Sequence, residues 1–219
     1  MNCGLGNLDS LKSHLLPGTM QGDTRFDAVL QDIGLGVAGL FDTHCNRHLA
    51  YQEHAQEIFR GNRSHWYMPS YPVVSFEKVE LRFFAADKWT DISGQPLSVN
   101  EDSGMLSFGY TLGVDPMQVR VTWTGGYWFE QLEPTGDVGY RNEEPALVAA
   151  CTALDPAKFA LPAAIRLAWL LQCREVWNKV DKLGTGLVDK PDEQSLTGSL
   201  ELAPMVKETL RGFVRYQIS

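Results

Sequence analysis

The residues best suited to chemistry lie near the end of the first long periodic segment, where His44 and His48 are four positions apart and Cys45 and His54 are nearby. On a helix, two imidazoles at this spacing would face the same way, as pairs of zinc ligands do. A hydrolytic zinc helix also needs a glutamate directly after the first histidine, and Cys45 occupies that place. The pattern therefore favours histidines with structural roles. A soluble metal-dependent enzyme built on His44, Cys45 and His48 remains an alternative.

Other catalytic motifs are missing from the sequence. It contains no Gly-x-Ser-x-Gly elbow, no phosphate-binding loop and no glycine-rich dinucleotide fingerprint after a strand. The acidic pairs at 143–144 and 192–193 fall in predicted loops, where solvated charge is a simpler explanation than a catalytic dyad. The four cysteines are scattered without C-x-x-C spacing, which argues against a zinc ribbon or a redox pair. We therefore expect no enzymatic activity, no metal and no cofactor.

The composition is acidic. The 219 residues include 19 Lys and Arg against 27 Asp and Glu, which gives a net charge of -8. Without a basic block, such a chain is a poor candidate for binding duplex DNA by itself. A hydrophobic content of 44% is enough for a globular core. No apolar run reaches the roughly 20 residues that cross a bilayer, and we expect no secretory signal. The scattered cysteines are expected to be reduced thiols in a cytosol.

Hydrophobic periodicity predicts an α+β fold, mainly a helical bundle with a small central antiparallel β-sheet and a protruding C-terminal helix. Asp23 is the predicted N-cap of the long second helix. The predicted helices cover residues 8–16, 23–49, 145–154, 161–183 and 204–217, and the predicted strands cover 73–83, 89–92, 104–108 and 119–124. Residues 127–144 are predicted to be a long exposed loop. The expected organisation is a core at 1–183, a linker at 184–202 and a docking helix at 203–219.

Two features of the predicted helices suggest contacts with other chains. Gly34, Gly36 and Gly39 lie inside the second helix, where each costs about 1 kcal/mol relative to alanine. A neighbouring helix or subunit that approaches closely would justify them. The last helix has an apolar face and a recurrent basic stripe. That apolar face either folds back on the protein's own core or enters a groove on a partner, and the preceding linker favours the partner.

Several segments have a distinctive order along the chain: Leu8-Asp9-Ser10-Leu11-Lys12, the helix 23–49, the strands 73–81 and 88–92, Val119-Arg120-Val121-Thr122-Trp123-Thr124-Gly125-Gly126-Tyr127, the helix that opens with Leu161-Pro162, and residues 202–211. In this order they resemble the head-tail connector, or adaptor, proteins of long-tailed bacteriophages. The resemblance covers nearly the whole chain.

The resemblance implies a non-enzymatic virion protein at the head-tail junction. It would form a ring, typically of twelve copies, that docks under the portal protein and extends the DNA channel, so that genomic DNA passes without sequence-specific binding. A stopper or tail-completion protein would attach below, and assembly would take place in the host cytoplasm. A transient capsid or tail assembly factor is a further alternative.

The resemblance also implies candidate contact residues. The last helix would face the portal through Met205, Lys207, Leu210, Arg211, Phe213, Arg215 and Tyr216. Neck or subunit contacts would come from the start of the long loop, at Tyr127, Trp128 and Phe129. The three glycines of the second helix would add further subunit contacts.

Overall fold

The computed structural model describes residues 3–95, 97–112, 117–128, 156–184 and 201–215. The chain divides into two compact units, one formed by residues 1–47 with 128–219 and the other by residues 48–127. The described elements of the first are helices and those of the second are antiparallel strands, so the predicted α+β class is confirmed. The helical share was overestimated, because the second unit contains two sheets. The predicted division at 184–202 stays a prediction, because most of that segment lies outside the described residues.

The helical unit begins with a well-capped helix. Its described helices are α1 (Leu8–Leu15), α2 (Asp27–Cys45), α3 (Pro156–Phe159), α4 (Ala163–Gly184) and α5 (Pro204–Leu210), with 3-10 turns at Gly18–Met20 and Arg211–Phe213. The side chain of Asn7 accepts a hydrogen bond from the backbone N–H of Ser10 at 2.7 Å. This bond satisfies one of the free donors at the start of α1.

The long helix α2 is shorter at both ends than the sequence predicts. Asp23 is not its cap, because the Asp23 carboxylate accepts hydrogen bonds from the backbone N–H and the guanidinium of Arg25. Phe26 is the cap residue instead. At the other end, Asn46 takes the left-handed conformation with φ 51° and stops the helix after Cys45. Asparagine tolerates this conformation better than most residues, so it is a natural stop signal.

Close backbone approach holds the helical unit together. The indole N–H of the buried Trp169 donates to the carbonyl of Gly34 at 3.1 Å. A Cβ on Gly6 would lie 2.5 Å from the Trp169 ring, so only glycine fits there without a shift. Phe26 meets Trp177 edge to face at 5.7 Å between ring centroids. Large rings packed against bare backbone therefore form the centre of this unit.

The second unit is a pair of antiparallel sheets, ordered β1-β7-β3-β4 and β2-β6-β5. The strands are β1 (Gln52–Arg60), β2 (Arg63–Tyr67), β3 (Val73–Arg82), β4 (Thr90–Asp91), β5 (Leu97–Asn100), β6 (Met105–Leu112) and β7 (Gln118–Gly125). The predicted strands at 73–83, 89–92, 104–108 and 119–124 correspond to β3, β4, β6 and β7. The sequence reasoning missed β1, β2 and β5, and β1 is an edge strand rich in polar side chains.

Both sheets contribute to one apolar core. Trp66 and Phe108 meet edge to face at 5.5 Å, and the indole N–H of Trp123 donates to the Ser70 side-chain oxygen at 2.9 Å and to its carbonyl at 3.1 Å. These bonds allow a polar ring atom to be buried without an unsatisfied donor. The buried members of this core are Trp66, Met68, Val73, Val79, Leu106, Phe108, Val119, Val121 and Trp123.

Candidate interaction surfaces

The predicted histidine pair does not form on a helix. Because α2 ends at Cys45 and Asn46 is left-handed, the helical spacing between His44 and His48 is interrupted. The Cys45 side chain is buried, and burial raises the pKa of its thiol to about 11, which disfavours the thiolate that binds metals. Among the described residues there is no group of three His, Cys, Asp or Glu side chains that could hold a metal ion. The geometry therefore gives the metal-enzyme alternative no support.

The C-terminal segment packs against its own unit over its described length. Helix α5 packs against α4, and both Val206 and Leu210 are buried. The buried Gln172 side chain accepts from the N–H of Ala203 at 2.9 Å and donates to the carbonyl of Glu201 at 3.2 Å. The apolar face of α5 that includes Leu210 is therefore covered by its own unit, and a contact with the portal through Leu210 stays a prediction.

The other face of α5 remains exposed. Met205 is 62% exposed, and Lys207 and Arg211 are also exposed. Glu208 lies 3.5 Å from the Arg211 guanidinium, but both groups are solvated, so this ion pair holds Arg211 only weakly. Helix α5 and the turn after it thus offer a partner the Met205 thioether, the cations of Lys207 and Arg211, and the Glu208 carboxylate.

The remaining candidates on this segment are less accessible. The Phe213 and Arg215 side chains are half-buried, and the backbone N–H of Arg215 donates to the carbonyl of Cys45 at 2.8 Å. That bond ties the chain after α5 to the end of α2. Tyr216 lies outside the described residues.

The three glycines of α2 have different surroundings. A Cβ on Gly34 would lie 2.6 Å from the carbonyl oxygen of Cys3, so the close neighbour of Gly34 is a segment of its own chain. The expectation of a subunit contact at Gly34 is therefore wrong. Gly36 and Gly39 have no heavy atom within 4 Å of such a Cβ, and both are exposed. They sit on the open face of α2, which also presents Leu35.

The start of the predicted long loop is ordered. The Trp128 side chain is buried, and its backbone N–H donates to the carbonyl of Phe159 at 2.7 Å. Trp128 therefore belongs to the core of the helical unit and not to an exposed contact surface. The N–H of the half-buried Tyr127 donates to the carbonyl of Leu49 at 2.8 Å. Phe129 and the rest of the loop lie outside the described residues.

The sequence reasoning missed the most exposed aromatic pair of the described residues. Phe83 and Phe84 follow β3 directly and are 56% and 60% exposed. Next to them, the Arg82 guanidinium donates twice to the Gln118 side-chain oxygen, at 2.6 and 2.8 Å. The guanidinium carbon of Arg82 also lies 4.4 Å from the centroid of the Trp89 ring. Two adjacent phenylalanines at the end of an alternating strand were the signal available in the sequence.

Two charged networks lie on the sheet β1-β7-β3-β4. The buried Glu80 carboxylate contacts the Arg120 guanidinium at 2.6 Å and the Lys78 ammonium at 2.7 Å. Burial alone would raise the pKa of Glu80, but the hydrogen bonds from Lys78 and Arg120 lower it below its ordinary value. This carboxylate therefore stays ionised as a structural anion.

The second network joins β1, β3 and β7. His54 contacts one Glu77 oxygen at 2.6 Å, and the Thr124 hydroxyl donates to the other at 2.6 Å. The Glu77 bond raises the pKa of His54. Burial would raise the pKa of Glu77, but hydrogen bonds from Thr124 and His54 lower it. His54 has φ 49°, so the network stabilises an irregular point in the edge strand.

With these surfaces defined, the chain can be compared with known proteins. No protein-family model matches it, and no curated protein sequence does. Two solved structures share its fold. A chain in the neck of an empty GTA particle, computed with C6 symmetry, matches with TM-score 0.58 and 15% identity. A chain in the virion of a native gene transfer agent (GTA) particle matches with TM-score 0.60 and 14% identity. Each match covers 98% of this chain and 92% of the other.

The likeness extends over both units, because almost the full length of each chain is matched. At 14 and 15% identity it concerns the fold alone. In the described part of the chain, no helix is both long and apolar enough to cross a membrane.

Proposed function

We propose that this chain is a structural, non-enzymatic component of the neck of a phage-like particle, where it acts as a head-to-tail adaptor ring. The observation that carries the proposal is the fold shared with the neck and virion chains over nearly the full length of both partners. The exposed surfaces of the described residues fit the same class, since they combine aromatic, aliphatic and charged side chains that a partner protein could cover. In this proposal the chain connects proteins.

In its finer form, the ring contains about twelve copies, docks under the portal protein and carries a stopper or tail-completion protein below. Genomic DNA passes through the lumen without sequence-specific binding. The net charge of -8 per chain supports this part, because an acidic wall repels the phosphate backbone. The chain is assembled in the host cytoplasm and ends at the head-tail junction of the virion.

The portal contact is assigned to the exposed face of α5, with Met205, Lys207 and Arg211 as its centre. Cations on a protein rim speed association with an acidic partner and fix its register. The open face of α2, around Gly36 and Gly39, is assigned to a contact within the neck. The half-buried Phe213 and Arg215 would add contacts at the edge of this surface.

The location is tested by imaging purified particles with an antibody against this chain. We expect label at the head-tail junction. A chain that is present in cells during assembly but missing from purified particles would contradict the adaptor role and indicate a transient assembly factor.

The portal contact is tested with Lys207→Glu and with the matched control Lys179→Glu, which reverses an exposed lysine on α4. Co-purification with the portal protein of the same particle should fall at least tenfold for Lys207→Glu and stay unchanged for the control. Adding Arg211→Glu should deepen the loss. Equal binding by the wild type and the double variant would show that α5 is not the portal surface.

A further inference from the structure

The turn between β3 and β4, residues 82–89, presents an apolar tip. Phe83 and Phe84 are more than half exposed, and Ala85 and Ala86 beside them are exposed as well. Burying a phenylalanine side chain is favourable because it removes a large apolar surface from water. Two adjacent phenyl rings that are exposed to solvent therefore favour association with a surface that can bury them.

This tip is held in one conformation. The Asp87 carboxylate accepts from the N–H of Phe84 at 2.9 Å, and the N–H of Asp87 donates to the carbonyl of Phe84 at 3.0 Å. The Arg82 guanidinium donates to the carbonyl of Ala85 at 2.9 Å. A pre-organised tip loses little conformational entropy on docking, so more of its burial free energy reaches the complex.

Several cations lie at the same end of the strands as the phenyl rings. Arg60 and Arg82 both pair with Gln118, one from each side of β7. Arg63 follows Arg60 across a short turn, and Lys88 lies in the tip itself; Arg60, Arg63 and Lys88 are exposed. Four cations thus lie at one end of the sheet unit.

The local charge is opposite to that of the whole chain. Against the four cations stands one carboxylate in the tip, Asp87, which leaves an excess of three positive charges. Asp115, in the segment between β6 and β7 that is outside the described residues, reduces the excess to two when it is counted. The whole chain carries -8. The rest of the molecule is therefore more acidic than its total charge indicates.

The other end of β3 carries exposed carboxylates. The first residue of the strand, Val73, donates its N–H to the carbonyl of Glu101 at 2.8 Å. Both Glu101 and Asp102 are exposed, and the turn 101–104 contains no lysine or arginine. Because β3 is ten residues long, the two ends are separated by about 30 Å. Exposed carboxylates and the cations of the tip thus lie at opposite ends of β3.

We propose that this tip docks on a second copy of the same chain, at the carboxylate-bearing end around Glu101 and Asp102. The proposal rests on the proposed function, which needs contacts between copies in a ring. A contact that joins two different surfaces is heterologous, and such contacts generate closed rings when the rotation per copy allows it. The apolar tip supplies the burial, and the opposite charges set the orientation.

The apolar part is tested by sedimentation velocity of the full chain over a range of concentrations, with Phe83→Ser and Phe84→Ser combined. The control combines Met20→Ser and Leu167→Ser, whose side chains are 37% and 55% exposed in the helical unit. We expect the wild type and the control to self-associate, and the tip variant to need at least tenfold more protein. Circular dichroism checks that each variant is folded.

The charged part is tested by reversal and exchange. Reversing Arg60, Arg63 and Lys88 to glutamate should weaken association, and so should Glu101→Lys with Asp102→Lys. Combining both sets in one chain should restore much of the association. Arg82 is left intact because it holds the tip. Wild-type association should also weaken as the salt concentration rises, because the screening length of charges falls from about 10 Å at 0.1 M to about 3 Å at 1 M.

Three outcomes overturn the proposal: a wild-type chain that stays monomeric at every concentration, a tip variant that associates like the wild type, or a charge exchange that restores nothing. Each is separable from failure of the adaptor role, because imaging of purified particles decides that role independently. A chain found at the neck whose tip variant still associates would keep the proposed function and lose this contact.

Discussion

The helical unit and the sheet unit are stabilised in different ways. In the helical unit, Gly6 and Gly34 let a tryptophan ring and the N-terminal segment approach bare backbone. In the sheet unit, an apolar core is combined with carboxylates that bind cations on neighbouring strands, as Glu80 does. Side-chain volume therefore controls stability at Gly34 in the helical unit, whereas charge controls it at Glu80 in the sheet unit. Mutations that change volume or charge should separate the two.

The largest effect should come from the central ring of the helical unit. Trp169→Ala removes a buried indole and its bond to the Gly34 carbonyl, so we expect a loss of about 3–5 kcal/mol of unfolding free energy. Leu167→Ala, two residues away on the exposed face of α4, should change it by less than about 0.5 kcal/mol. Denaturant titration measures both. Equal losses would mean that volume at this site does not control the unit.

A smaller effect is expected from the two glycines of α2. Gly34→Ala forces a Cβ against Cys3, so it should cost about 1–3 kcal/mol of unfolding free energy by overpacking. Gly36→Ala meets open space and should instead add about 0.5–1 kcal/mol, because alanine loses less entropy in a helix. Thermal and denaturant unfolding of the two variants measure the difference. A destabilised Gly36→Ala would contradict this volume-based account.

In the sheet unit, Glu80→Gln should act through charge at nearly constant volume. It leaves Arg120 and Lys78 without their shared anion, so we expect a loss of about 1–3 kcal/mol of unfolding free energy at neutral pH. The folded pKa of Glu80 lies below its ordinary 4.5. The contribution of the Glu80 carboxylate to the unfolding free energy is therefore fully present above pH 4.5. It is lost as pH falls through the lower pKa of the folded state.

Denaturant titrations of the wild type and Glu80→Gln from neutral to acidic pH measure this dependence. The difference in unfolding free energy between the two proteins should become smaller as the pH falls. A gap that stays constant with pH would assign the loss to packing rather than charge. Glu57→Gln, on the exposed edge strand β1, is the matched control and should give a smaller loss.

The smallest effect should come from the exposed His54–Glu77 pair. The pKa of His54 is raised in the folded state. Protonated His54 therefore contributes fully to stability below pH 6.5, its ordinary pKa, and this contribution is lost as pH rises through the higher pKa of the folded state. In Glu77→Gln, the His54 pKa measured by NMR should fall toward 6.5. Glu57→Gln should leave it unchanged. An unaltered His54 titration in Glu77→Gln would show that the contact does not persist in solution.

Periodicity predicted much of the element content, because its signal is local. The apolar alternation of 119–124 and the helical spacing of 163–183 correspond to β7 and α4. Strand β1 was missed because it is polar, exposed at the edge and interrupted by a bulge. Its backbone obtains its hydrogen bonds from β7, a partner more than fifty residues away, and no local pattern reports such a partner.

The candidate contact residues were predicted less well than the elements. Residue type suggested that Leu210, Trp128 and Gly34 meet other chains, yet all three are buried inside their own unit. Met205 and Lys207 are on the exposed face of the same helix as Leu210. The sequence pattern of an apolar helix face is the same whether that face packs on its own chain or on a partner. Here the packing of α5 against α4 shows that Leu210 contacts its own chain.

Composition and local spacing were sufficient to predict the α+β class, the acidic charge, the order of the predicted helices and strands, and the resemblance to connector proteins. These follow from composition and from side-chain spacing along single elements, which depend on near neighbours. The tertiary structure decided that α5 folds back, that Gly34 is an internal contact, and that Phe83 and Phe84 stand in a cationic end of the sheet unit. Those outcomes depend on residues far apart in the chain, whose contacts become defined only when the strands pair and the helices pack.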